Sequence, residues 1–448
     1  MKSVIKAFSV LALSGAVVMP ALAGDDQKDL KKVIEDQGIN YVETAQKGIT
    51  LSGYVDTSYT YQFASKGQYG APVFGGTNSE GQLRQFDVNN NNFNINAVKI
   101  ALEKALPDKN EWAAGFRIDT MYGQDAKILA ASDPSTSGSG IYLEQALVKF
   151  RIPVGNGLDI YMGKFVTFLG YEVIESPANL NFSRGLLFTN AIPLTHTGIY
   201  ADYKFNDTIE AKFGIVDGWN SSVSPGPTTG PFGAGPNVGD SFGKAITGQL
   251  TINAPGKNAN ITQSFIYSPE GEPGNLSAYN DGATGALDNG PVVVYDIWGN
   301  WNPTFVKDNA LLLGFNIDLG YNGASGVPIT FASQNLQHDS NTWWGAALYT
   351  QYKFNKVFSL AGRGEYLHSD AAVAPKFGDD LLSGSGNFHN QDDFSFTLTA
   401  AFNIWDNLLT RVEYRYDHFN PSLSGDTVGG FTSSTDQNEI SLNAVYSF

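Results

Sequence analysis

The sequence predicts an all-β chain, a transmembrane antiparallel β-barrel of about 16 strands with short turns at one rim and long loops at the other. Three observations predict it. Polar and apolar residues alternate over stretches too long for a soluble strand, no membrane-length apolar run follows the N-terminal leader, and connections alternate between short and long. With 49 Gly, 21 Tyr, 29 Phe and 7 Trp in 448 residues, the composition suits aromatic-rich strands separated by turns better than a helical enzyme.

Residues 1–23 read as a secretory signal peptide: Lys2 and Lys6 make a basic start, Ala7 to Met19 an apolar stretch, and Ala21-Leu22-Ala23 a small-x-small cleavage site. Without those two lysines, 26 basic residues face 44 acidic ones, a formal charge of −18 that argues against nucleic acid as a partner. The lack of cysteine removes disulfides, thiolate metal sites and a lipid anchor on an N-terminal Cys, and it fits passage through an oxidising compartment. No cofactor and no metal are expected. Residues 24–47, with the charged, mildly helical run Asp29 to Asp36 and a stop at Gly38, read as a short periplasmic N-terminal segment. The barrel is expected over residues 48–448.

From Gly48 the period is two: Ile49, Leu51, Val55, Tyr59, Tyr61 and Phe63 take odd positions, while Thr50, Ser52, Asp56, Ser58, Thr60 and Gln62 take even ones. Soluble strands run about 5 or 6 residues, whereas a tilted membrane strand needs about 9 to 11. The pattern recurs to the C-terminus, ending on Ile440, Leu442, Ala444, Tyr446 and Phe448. Strands are expected near 48–63, 92–105, 111–123, 141–153, 157–166, 193–205, 208–219 and 241–253. The second eight lie near 259–268, 291–301, 309–322, 341–354, 357–368, 391–404, 408–419 and 436–448. A phase change from Phe93 and Ile95 to Val98 and Ile100 predicts a β-bulge, and Glu144 falls on the expected lipid face, near enough to the outer rim to reach headgroups.

Seven short turns, such as Pro107 to Asn110, Asn206-Asp207 and Trp405 to Asn407, alternate with eight long loops rich in Gly, Ser, Asn, Asp and Pro. An even strand number with that asymmetry places both termini on the short-turn side. Trp112, Trp301, Phe354, Trp405 and Phe448 at one rim, with Tyr61, Tyr122, Trp219, Trp343 and Trp344 at the other, fit two aromatic girdles.

If the apolar positions face lipid, the alternate ones face the interior, and they carry Arg117, Asp119, Lys149, Arg151, Asp202, Lys204, Glu210, Lys212, Arg363, Glu365, Arg411, Glu413 and Arg415. So many charges do not fit a dry core, and a barrel of this size is wide enough for water. The third long loop, near 167–192, stands apart because Tyr171, Val173, Ile174, Leu180, Phe182, Leu186, Leu187 and Phe188 must pack on something. Folding inward would bury them. Glu172 and Glu175 would then face basic wall residues such as Arg117, Arg411 and Arg415, and set a transverse field at the narrowest point.

The run Gly163-Lys164-Phe165, Gly170-Tyr171-Glu172 and Ile192-Pro193-Leu194-Thr195-His196-Thr197-Gly198 resembles the OmpL-like family of outer-membrane β-barrel porins of Gram-negative bacteria. The resemblance covers essentially the whole chain after the signal. It implies a water-filled channel for passive diffusion of small hydrophilic solutes and ions, and an inward third loop. Glu172, Glu175, Arg184, His196, Arg117, Lys149, Arg151, Arg363, Arg411 and Arg415 become candidates for the constriction. The terminal Phe448 resembles the aromatic end by which the barrel-assembly machinery recognises its clients, and the further partners implied are outer-membrane lipid, lipopolysaccharide and a homotrimer.

Plainer readings stand beside these. The inner arginines could serve barrel stability through paired charges, the third loop could lie over the mouth as a lid, and His196 reads as a hydrogen-bonded structural histidine. His338, His368, His389 and His418 lie beside acidic residues in or near outer loops, and the Asp87 to Asn91 run begins like a calcium loop but lacks its Gly and closing Glu. No Ser and His pair marks a lipid hydrolase. A plugged or adhesive barrel and a solute-specific channel remain as alternatives, the latter requiring an aromatic track of which Tyr161 is the single visible member.

Overall fold

The computed structural model describes residues 48–63, 86, 89, 91–107, 110–131, 140–220, 244–269, 289–324, 329–331, 334–336, 340–370, 388–423 and 435–448. The leader, residues 24–47, Asp87, Val88, Asn90 and His338 lie outside the described residues.

The first strands are β1 (Ile49–Gln62), β2 (Asn92–Lys104), β3 (Ala113–Tyr122), β4 (Ile141–Ile152), β5 (Leu158–Val166), β6 (Thr195–Lys204) and β7 (Ile209–Val216). They continue as β8 (Ala245–Asn253), β9 (Ala259–Ser268), β10 (Asn289–Trp301) and β11 (Leu311–Ala324). A small hairpin, β12 (Ile329–Phe331) and β13 (Gln334–Leu336), stands apart from the barrel. Next come β14 (Asn341–Lys353), β15 (Phe358–Ser369), β16 (Phe388–Trp405), β17 (Leu408–Leu423) and β18 (Thr435–Ser447). All but the hairpin form one closed sheet of 16 strands in which each pairs with its sequence neighbour, so the strand number expected from the sequence is the number present.

Closure is made by β1 on β18, from Tyr54 opposite Ser447 to Gln62 opposite Glu439. Gly53 and Phe448 complete it with a reciprocal pair of backbone hydrogen bonds, each 3.0 Å. A closed sheet leaves no unpaired edge, the condition for strands to stand in a bilayer.

Alternation sorts the side chains. On β18, Ile440, Leu442 and Tyr446 are exposed outward while Glu439, Ser441 and Asn443 are buried inward. The same split puts Phe213, Ile215, Ile317, Leu319, Phe394, Phe396 and Leu398 on the outer surface. A belt of apolar residues on that scale is costly in water and suits hydrocarbon.

Several register shifts change the phase, and two of them bear on the expected pattern. Asp56 pairs with Ala97 and Thr57 with Ile95, so Asn96 is the extra residue behind the switch from Phe93 and Ile95 to Val98 and Ile100. On β4, Asp119 pairs with Gln145 and Thr120 with Leu143, which leaves Glu144 as the extra residue. This corrects the expected lipid-facing place of Glu144: the bulge turns it inward, where it is fully buried beside Lys99. Parity also revises the girdles. Trp344 is exposed, so its neighbour Trp343 points inward and is 1% exposed, and Trp219 is buried as well.

The stretch after β3 contains the helix α1 (Gln124–Ala131), a run of good helix formers begun after Gly123 at φ +126°. Its Ala126 and Leu129 are buried. The connection between β5 and β6 carries a 3₁₀ turn at Ser176–Ala178 and the short helix α2 (Leu186–Asn190).

Candidate functional site: the loop-lined lumen

The connection from β5 to β6 is apolar for a reason the structure makes plain: Leu169, Ile174, Leu186, Leu187, Phe188 and Ile192 are all buried. Its course is set at Gly170, which holds φ +96° and where a Cβ would stand 2.3 Å from the Ile192 side chain. Just before the turn, the Phe168 carbonyl accepts from Gln249 Nε2 on β8 at 2.8 Å and Ser264 Oγ on β9 at 2.9 Å. Just after it, Tyr171 donates its backbone N–H to Asn316 and its hydroxyl to Asn300, at 3.1 and 2.7 Å. The Tyr171 ring stacks on Tyr349 at 4.0 Å, over Gly314, where a Cβ would come 2.7 Å from the Tyr171 hydroxyl. Burial, with Glu172 adding to it, pushes that hydroxyl's pKa up.

Further along, the connection meets the wall from β14 round to β2. Glu172 accepts from Arg363 Nη1 on β15 at 2.5 Å and from the Gly185 N–H at 2.6 Å. Arg363 is also held by Glu365 at 2.8 Å and donates to the Ser183 carbonyl at 2.7 Å. Arg411 on β17 donates to the Ser176, Asn179 and Asn181 carbonyls at 3.1, 3.3 and 3.1 Å. Glu413 receives the N–H groups of Phe182 and Ser183 at 2.6 and 2.9 Å, and Arg415 donates to the Arg184 carbonyl at 2.6 Å. The Arg184 guanidinium bonds the Ile174 carbonyl and lies 3.7 Å from Asp125 of α1. Trp343 Nε1 donates to the Ala191 carbonyl at 3.1 Å.

Glu175 reaches Lys99 on β2 at 2.5 Å, and the same ammonium lies 2.9 Å from Glu144 and 3.2 Å from Asp119. The three carboxylates offer oxygens within 4.8 Å of one another, the spacing of a metal site, but Lys99 supplies the positive charge there. Burial pushes the Glu175 carboxyl up and Lys99 more than offsets this, so its pKa sits below the ordinary value.

The expected partners of Glu172 and Glu175 are thus revised. Glu172 pairs with Arg363 and Glu175 with Lys99, while Arg411 and Arg415 bond backbone carbonyls of the loop instead of its acids. Arg117 is bound to Asp119 at 2.8 Å and to Glu103 at 3.3 Å, and acts on Glu175 through space. Lys149 is bound to Glu103, and Arg151 makes a two-pronged pair with Asp159, 2.6 Å on each prong. His196 is fully buried, with Nε2 3.1 Å from Thr167 Oγ1 and Nδ1 3.4 Å from the Gly218 carbonyl, a structural setting.

Exposure divides the ten candidates into two groups. Arg184, Arg363, Arg411, Arg415, Glu172, Glu175 and His196 are buried between loop and wall. Side chains of Arg117 and Arg151 remain 11% and 18% exposed, as do their acidic partners Glu103 and Asp159 at 21% and 14%. Lys149 lies between them but is itself buried, at 8%. Lys99 and Asn316 were not singled out from the sequence. Lys99 was findable, since it sits between Val98 and Ile100 on a strand whose outward phase those residues define.

No curated protein matches the chain. Among solved structures, the fold is similar to the outer membrane channel DcaP of Acinetobacter baumannii, with TM-score 0.51, 13% identity, and coverage of 89% of this chain and 97% of that one. An anion-selective porin from Comamonas acidovorans gives TM-score 0.54 at 11% identity, covering 89% of this chain and 99% of that one. OprB of Pseudomonas putida gives 0.51 at 13% identity, covering 94% and 97%. At such identities these likenesses speak to the fold alone. Residues 48–448 match the family described as putative beta-barrel porin-2, OmpL-like, and the chain belongs to that family of outer-membrane porins.

Proposed function

We propose that the chain is a diffusion porin that lets small hydrophilic solutes and ions cross the outer membrane passively, with the loop near 167–192 narrowing the path. The observation that carries this is the uneven exposure of the charged lining. The wall from β14 to β18 is covered by the loop, whereas the side chains of Glu103, Arg117, Arg151 and Asp159 on β2 to β5 keep partial exposure. Charges kept solvated inside a barrel are those of a wet passage. In this reading Arg117, Lys149 and Arg151 tune which ions pass, and Glu172, Glu175, Arg184, Arg363, Arg411 and Arg415 hold the loop in place.

The test is single-channel conductance of the refolded barrel in a planar bilayer under a salt gradient. Steady steps with a defined reversal potential are expected. A correctly inserted but silent barrel overturns the proposal in favour of a plugged structural barrel, a reading favoured by the loop's anchorage on strands from β2 round to β17. Export by the 1–23 signal, assembly through Phe448, contact with lipid and lipopolysaccharide, and a homotrimer belong to the same proposal. Cross-linking in membranes tests the last of these.

A further inference from the structure

Two adjacent rungs of inward-facing residues cross β4 to β7. In the first, Tyr161 on β5 stands directly opposite Tyr200 on β6, and their rings stack at 4.5 Å with planes 6° apart. Phe168 of the loop meets Tyr200 edge-on at 5.0 Å, as Phe165 of β5 does at 4.6 Å. In the second rung, Arg151, Asp159, Asp202 and Lys212 are successive cross-strand neighbours. Rungs on one face of a sheet are about 7 Å apart along the strands.

The four side chains of the ionic rung sum to zero charge, two cations flanking two anions, so the row attracts neither ion sign. It does offer donors and acceptors in a line, and all six residues are only half-buried. We propose that this aromatic and ionic pair of rungs is a subsite for neutral polyhydroxylated ring solutes, of the chemical class of sugars. This rests on the porin reading. An apolar ring face covers tyrosine, while hydroxyls on the ring edge replace water at Arg151, Asp159, Asp202 and Lys212. Binding must be weak, since a passing solute has to leave.

Single-channel current of the full-length barrel is recorded in potassium chloride while glucose or sucrose is added, with a linear polyethylene glycol of similar size as control. Saturable sugar-dependent reduction of current is expected, absent with the polymer. Tyr161→Ala with Tyr200→Ala weakens the apparent affinity about tenfold, each change being read against that variant's own sugar-free current. Asp202→Asn, which unbalances the rung without removing a ring, weakens it as well and serves if the double variant fails to insert. Current falling linearly and equally with sugar and polymer overturns the subsite and leaves the porin standing. No current in salt alone overturns the porin reading itself, and this inference with it.

Discussion

Replacing Lys99 with Met should loosen the loop and invert its dependence on pH. In the native barrel Lys99 touches Glu175, Glu144 and Asp119, all buried. Asp119 would keep Arg117 at 2.8 Å, so two carboxylates, Glu144 and Glu175, lose their cation. Stranding a buried charge costs about 3–5 kcal/mol, or roughly two to four powers of ten in the balance between docked and released loop. The sign with pH follows from Glu175. Its native pKa is lowered, by Lys99 acting against burial, so the anchor is fully present above the ordinary glutamate value of about 4.3 and is lost as pH falls through the lowered one. In the variant, burial is opposed by the more distant Arg117 alone and raises that pKa, so the loop is held best at low pH and is released as pH rises. Open-channel noise and protease sensitivity of the loop, recorded across pH 3 to 8 (an assay range of about five pH units), check this. A Lys99→Met channel as quiet as the native one at neutral pH, with the same direction of pH dependence, would refute the reasoning.

Three more outcomes are expected. Gly320→Ala puts a Cβ 1.8 Å from the Trp343 indole and should cost about 1–3 kcal/mol as the ring shifts and strains its bond to the Ala191 carbonyl. An unchanged heat-modifiability transition on gels would contradict it. Deleting Phe448 removes two backbone hydrogen bonds to Gly53, about 0.5–1.5 kcal/mol each, and should lower the yield of closed barrel seen on unheated gels. Arg117→Gln with Arg151→Gln should move the reversal potential toward cation preference. No movement would take these two residues off the ion path.

The barrel was legible because its rule is local. Alternation from Ile49 to Gln62 and from Ile440 to Tyr446 marks each strand without reference to any other, and 16 such segments appear as 16 strands. Where the local rule failed, one inserted residue was the cause. Glu144 reads as lipid-facing by counting back from Ala146, and only the pairing of β3 with β4 reveals the extra residue. Trp343 and Trp344 could not both face outward, and parity alone would have decided between them. The site was harder. The apolar content of 167–192 says that the loop must pack, but which wall residue meets Glu172 depends on how a chain crosses the barrel, a distance of 191 residues in sequence for Arg363. Arg411 and Arg415 were read as partners for acids, whereas they satisfy carbonyls left bare by a segment with little secondary structure.

The pairing of β1 with β18 also governs the order of events in assembly. Thr60 and Ser441, 381 residues apart, share a hydrogen bond, and Phe448 bonds Gly53 of β1. Until β18 pairs with β1, both borders of the sheet expose unpaired amides that hydrocarbon cannot solvate. A truncated or stalled chain therefore has no comfortable partial state in the bilayer. The β18 strand decides closure, because it is the piece whose absence leaves both borders of the sheet open.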